Sequence, residues 1–486
     1  MTLFVMIYNF LIKYFSKKKL LDIYITCENN NLEHLKILIK NGTDVNKCRY
    51  DKKSPLFIVC QNNHIECVKI LIENGADINK CSYKNISPLL IACANGHIEC
   101  VKILIENGAD INKCNNNGTS PLFIACKKNN FKCVKILIEN CANINKCKNG
   151  GYSSLHIACQ NNNIECVKIL IENGAYINKC CDDDTSPLFI ACNKGNIKCL
   201  QILIENGADI NKCRVGDVSP LYIACQNNNL ECLKILIENY ADINKCCDDD
   251  ASPLFIACQE NNIECLKILI ENGVDINKCC DDGTSPLYIA CQNNNFKCVK
   301  ILIENSVDIN KYNNGGYTPL YIACQEYNVE CIKILIKNGA DINKCSLNKN
   351  SPLYVSCYLN NIECINILIK SNINIYLKNN HNKTAFYISH EKDFNNIILK
   401  FLQNGINIKY ELQNAPNITN CENNYSHEKY IKELNKYHET ELKLKYEFMN
   451  IICSNNSKSL LSRFFMINKG LRGNIGRRII SFVNAF

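Results

Sequence analysis

The chain contains no tryptophan and only 4 methionines, and its 20 glycines and 10 prolines are few for 486 residues. So small a supply of turn formers excludes collagen-like and Gly- or Pro-rich disordered sequence. No run of about 18 or more apolar residues occurs, so no stretch qualifies as a membrane-spanning helix. The opening residues, MTLFVMIYNFLIKYFSKKK, carry basic residues after the apolar stretch and none before it. A secretory signal needs the reverse order and a small-residue cleavage site, so residues 1–20 are expected to cap the start of the fold. Also missing are C-x-x-C pairs, a P-loop, H-E-x-x-H and G-x-S-x-G. The 8 histidines do not cluster. These absences remove the sequence support for zinc-ribbon, redox-motif, nucleotide-driven or hydrolytic chemistry. No enzyme function, small-molecule substrate, metal or cofactor is expected. A net charge of +8 is too small at this length to mark a nucleic-acid binder.

What the chain has instead is repetition. A Ser-Pro-Leu element begins at Ser54 and returns at Ser87, Ser120, Ser153 and so on to Thr384, always after 33 residues. Twelve copies span about residues 21–410 if a first near 21–48 and a degenerate last are counted. In one copy, Ser54 suits an N-cap and Pro55 the first helical position, where its missing N–H costs nothing. LFIVCQN then forms a short helix, and Asn63 tolerates a left-handed turn. IECVKILIEN forms a second helix, closed by Gly75. ADINKCSYKNI runs on as an extended loop. A lone helix pair of this kind cannot bury its apolar face, whereas a stack can.

The elements SPLFIAC, NGHIECVKILIENGADIN and their variants closely resemble the ankyrin repeat. The resemblance implies an all-α solenoid of stacked helix pairs with loop fingers. It also implies a protein partner held on the concave face made by loop tips and first helices. Two departures stand out. The family's His after Pro-Leu survives only as His156, and Phe57, Phe189, Tyr222, Phe255 and Tyr288 are among its replacements. The closing Gly is replaced at Cys141, Tyr240, Ser306 and Asn372, which costs about 1 kcal/mol or more wherever the glycine conformation is kept.

The 36 cysteines fall mainly into three ladders. One runs from Cys27 to Cys357 in first helices, one from Cys67 to Cys364 in second helices, and one from Cys48 to Cys345 in the loops. By resemblance the first two occupy core slots usually held by Ala and Val, and free Cys packs there as a small hydrophobe. Stacked helices lie about 8–10 Å apart, too far for bridges between equivalent rungs. The loop cysteines, including Cys180, Cys181, Cys246 and Cys247, are expected to be the reactive ones. Adjacent thiols on an extended strand point to opposite faces, which argues against a metal site at CCDDD.

The finger tips vary in charge. Those at 181–185, 247–251 and 280–284 hold Asp182, Asp183, Asp184, Asp248, Asp249, Asp250, Asp281 and Asp282. With the neutral tip at 214–218 between them they sum to −8, within a protein of net +8. Either these are solvated loops or they attract a basic partner segment. In the second case first-helix aromatics such as Phe189 and Tyr288 could stack on guanidinium groups if they reach the surface, although their expected role is packing between repeats.

After Gly405 the rhythm stops. Residues 411–426 read as a linker, and 427–486 as a helical, basic tail with an amphipathic helix over 427–453. Leu460, Leu461, Phe464, Ile479, Ile480 and Phe482 are faintly similar to the F-box-like tails of poxviral ankyrin proteins and to SOCS boxes, without the prolines of those modules. The tail is therefore expected to cap the array or to dock a ubiquitin-ligase adaptor, with a basic amphipathic surface for membrane or nucleic acid as a third reading. Free thiols and the absence of a signal point to a reducing compartment, the cytoplasm, with the nucleus and a host cell's cytosol left open. A monomer is expected.

Overall fold

The computed structural model describes residues 22–413, 431–440 and 442–443. The expected cap at 1–20 and the six tail docking candidates, Leu460, Leu461, Phe464, Ile479, Ile480 and Phe482, lie outside these residues. The chain divides into two compact units, Met1–Asp248 and Asp249–Phe486. In each, the described residues form consecutive helix pairs at the 33-residue step, such as Pro55–Asn62 with Ile65–Glu73 and Pro286–Gln292 with Phe296–Glu304. No strand is present among them.

The boundaries of each pair follow from the residues expected to set them. Ser54 is extended, and its hydroxyl accepts a hydrogen bond from the Phe57 N–H at 3.1 Å. The same bond recurs at Ser87, Ser120, Ser186 and Thr318. Asn63 closes the first helix at φ 62°. Gly75 follows the second helix at φ 81°. Where the sequence replaces that glycine, the backbone does not relax. Cys141, Tyr240, Ser306 and Asn372 hold φ between 61° and 66°.

Within each unit the core is a column of side chains contributed by successive repeats. Leu56, Val59, Cys60, Cys67, Val68 and Leu71 are all fully buried in the second repeat. The first two cysteine ladders lie wholly inside this column, with no rung more than 1% exposed. The aromatics at the family's His position are buried too, Phe189 at 2% and Tyr288 at 7%. They pack between repeats and do not reach the surface to stack on a ligand; Tyr222, half-buried, is the partial exception.

Polar side chains join one repeat to the next. His64 Nδ1 donates to the Cys27 carbonyl oxygen at 2.7 Å, and His97 Nδ1 to that of Cys60 at 2.9 Å. Asn163, Asn196 and Asn328 do the same in other repeats, at 2.7 to 2.8 Å. A second spine runs through the loops. Asn79 Oδ1 accepts from the Asp110 N–H at 2.8 Å, and Asn310 Oδ1 from that of Asp341 at 2.8 Å. His156, wholly buried, contacts the Ser153 hydroxyl at 2.7 Å and the Thr185 carbonyl oxygen at 3.0 Å. Burial pulls its pKa down to about 4, so the ring is neutral at ordinary pH.

Beyond the last pair, helix Ile408–Gln413 reaches three residues into the span read as linker. Its Glu411 is buried, and Glu411 Oε2 accepts from the Thr384 hydroxyl at 3.0 Å. Residues 431–440 are helical and return to the last repeat. Leu434 is completely buried, and Glu433 pairs with His390 at 2.8 Å. Leu442, further along the span read as an amphipathic helix, is half exposed.

Candidate partner-binding site

The fingers are tied together through their backbones. Tyr83 N donates to Asp51 O at 3.1 Å, Asn116 N to Lys84 O at 3.2 Å and Val215 N to Asp183 O at 3.2 Å. In the second unit Asp281 N donates to Asp249 O at 3.2 Å, and Asn314 N to Asp282 O at 2.8 Å. Each tip also requires one residue in the left-handed region. Gly151 fills that role at φ 77°, where a Cβ would lie 2.5 Å from Asp182 Oδ1. Asp184 and Asp250 hold the corresponding positions at φ 57° and 54°.

Of the eight tip aspartates, seven are exposed and Asp183 is half-buried. Asp183 Oδ1 accepts a 2.7 Å hydrogen bond from the Cys181 thiol, and Oδ2 lies 3.0 Å from a guanidinium nitrogen of Arg214. The thiol's bond and the neighbouring guanidinium lower the Asp183 pKa to about 2. Asp183 is thus committed within its own unit. Arg214 is the partner that sequence reasoning missed; it sits in the next finger, 31 residues on, which the repeat step alone makes a neighbour. Asp282 Oδ1 accepts from the Thr284 N–H at 2.8 Å. The neighbouring Asp250 carboxyl, in the preceding finger, is the chief cause that raises the Asp281 pKa.

The loop thiols also differ from expectation. Cys181 is 5% exposed, shielded by its bonds to Asp183 and to the Thr185 carbonyl oxygen. Cys180 and Cys246 are half-buried, each donating to a carbonyl oxygen two residues back. Among the described residues the exposed thiol is Cys141, at the glycine position of its repeat. Among the described residues no group of three or more His, Cys, Asp or Glu side chains is arranged to hold a metal ion.

Family models of ankyrin repeats match residues 23–115, 107–181, 176–247 and 254–346, and a second ankyrin model matches 227–270 and 326–369. The chain belongs to the ankyrin-repeat family. As a member it is a protein–protein interaction module, and nothing in it shows catalytic activity. A crystal structure of the human ASB11 ankyrin repeat domain is similar at 31% identity and a TM-score of 0.39, covering 42% of this chain and 92% of that one. No curated protein matches the sequence.

Proposed function

We propose that this ankyrin chain recognises a protein partner through its finger tips and first-helix face, the concave side of the repeat, and that it draws in a basic segment of that partner. The observation that carries this reading is the set of seven exposed tip carboxylates: Asp182, Asp184, Asp248, Asp249, Asp250, Asp281 and Asp282. The backbone bonds that hold the fingers do not use these side chains. Their charge is therefore free to act on an approaching ligand, and a Lys- or Arg-rich extended segment would associate faster for it. Within this proposal the tail from residue 427 onward caps the array, a role supported by buried Leu434 and by the Glu433–His390 pair. The buried free thiols are suited to a reducing compartment such as the cytoplasm.

The test is stopped-flow association of a labelled, extended Lys/Arg-rich peptide with the full chain. Replacing the seven aspartates by Asn should lower the association rate several-fold and flatten its salt dependence. An unchanged rate at low salt would leave the tips as ordinary solvated surface.

A further inference from the structure

At the start of the first unit two fingers depart from those that follow. Tyr50 and Tyr83 hold the same tip position one repeat apart and are 91% and 73% exposed. The backbone ladder sets them side by side, since Tyr83 N donates to Asp51 O at 3.1 Å. Later in the same unit that position holds Asn116, Asn149, Asp182 and Val215. Asn116 makes the corresponding bond, from its N to Lys84 O at 3.2 Å, so the ladder needs no tyrosine. Two large rings turned to solvent at adjacent tips therefore call for another account.

Positive charge surrounds the rings. The tips 49–53 and 82–86 sum to +2 and +1. The Arg49 guanidinium lies 5.4 Å from the centre of the Tyr50 ring and is held there by Glu28 at 2.7 Å. Lys53 lies 3.6 Å from Asp51. Lys52 and Lys84 stand exposed. Lys52 also takes the left-handed turn of its finger at φ 57°, a conformation that lysine resists and that Asn85 and Gly118 fill in the next two fingers.

We propose that Tyr50, Tyr83, Lys52 and Lys84 form a docking surface for an extended acidic segment of a partner protein, one in which carboxylates are interspersed with apolar side chains. Charge complementarity names the occupant. The two ammonium groups meet carboxylates, while the rings cover the apolar side chains between them and their hydroxyls donate to a further carboxylate. Tyrosine suits this task because it offers a large contact area and loses little conformational freedom on binding. Arg49 is engaged by Glu28, so its part is to orient the Tyr50 ring rather than to hold the ligand. The surface takes a segment opposite in charge to the one drawn by the aspartate tips, and it stands whether or not those tips bind.

The experiment follows the fluorescence anisotropy of a labelled peptide, a Glu-Glu-Val-Val repeat, as the folded full chain is added. The repeat favours an extended chain and puts both kinds of side chain on each of its faces. Wild type should bind it, and more weakly as salt rises. Tyr50→Ser with Tyr83→Ser should weaken binding about ten-fold. Lys52→Asn with Lys84→Asn should weaken it several-fold and flatten the salt dependence. Both double variants should melt with wild type, since the side chains are exposed and Asn suits the turn at 52. The variant lacking the seven tip aspartates should bind the peptide at least as well as wild type. No binding at low salt, or equal binding by wild type and both double variants, would overturn the proposal. An oligodeoxythymidine that binds more tightly than the peptide and is lost with the same substitutions would overturn it in favour of nucleic acid. Self-association of the chain that the tyrosine variant abolishes and the peptide does not compete would overturn it in favour of a second copy.

Discussion

The Cys181 thiol donates to Asp183 Oδ1 at 2.7 Å while Arg214, one finger further on, lies 3.0 Å from Oδ2. An aspartate chosen from the sequence as a ligand for a basic partner is therefore already occupied by a basic residue of its own chain. Its pKa falls from 3.8 to about 2. A carboxyl whose folded pKa lies below its unfolded value stabilises the fold when ionised; that contribution is present in full above about pH 4 and is lost as pH falls toward about 2. The Asp183 side chain is 39% exposed, so solvent screening holds the net effect below about 1 kcal/mol. Asp183→Asn should lower the melting temperature slightly at pH 7, and the difference from wild type should vanish near pH 2, as measured by thermal unfolding of both proteins across that range. The seven exposed aspartates should behave oppositely, with Asn leaving stability equal or higher.

Thiol labelling under native conditions separates the ladders. Cys141 should react first with a water-soluble maleimide. Half-buried Cys180 and Cys246 should follow. Cys181, despite its place in a loop, should lag with the helix cysteines. Peptide mapping of a time course checks the order, and rapid labelling of Cys126 or Cys166 would contradict their burial.

Tyr240 is 91% exposed and held at φ 64°, a conformation that costs a side-chain-bearing residue about 1 kcal/mol. Its ring gains little there in return. Tyr240→Gly should stabilise the protein by about 0.5–1 kcal/mol after allowing for the freer unfolded chain. Gly207→Ala, at the equivalent position in the preceding repeat, should destabilise it by a similar amount. Chemical denaturation of the two variants tests both signs.

Leu434 is fully buried against the last repeat although it lies beyond the repeating sequence. Leu434→Ala should cost about 2–3 kcal/mol, confined to the final helix pairs. Hydrogen exchange would show the loss as faster exchange in Ala385–Glu391 and Asn395–Gln403, with little change in Ile263–Glu271. Uniform protection everywhere would mean that the segment does not seal the array.

The helix pairs, their serine caps and the glycine turns were legible because each is written in local residue chemistry and returns every 33 positions. Burial of the two helical cysteine ladders was legible for the same reason. Three features were not. The Asp183–Arg214 pair joins residues 31 positions apart, and comparing only equivalent rungs at a step of 33 passes over that offset. The concealment of Cys181 depends on a carboxylate turning back on its own loop, which no periodicity reports. Leu434 sits where the repeat has ended, so its burial follows from a helix that returns rather than from any pattern.

The backbone bonds between successive fingers have a further consequence. Tyr83 reaches Asp51, Asn116 reaches Lys84 and Val215 reaches Asp183 through main-chain atoms alone. The joint therefore accepts whatever side chains the tip carries, provided one residue tolerates the left-handed turn. Most of the stability is written in the helices and the asparagine spine, so tip side chains outside the Asp183–Arg214 pair can change with little effect on the fold. A tip could be exchanged for another of the same length, acidic for neutral or basic, and the array would keep its fold.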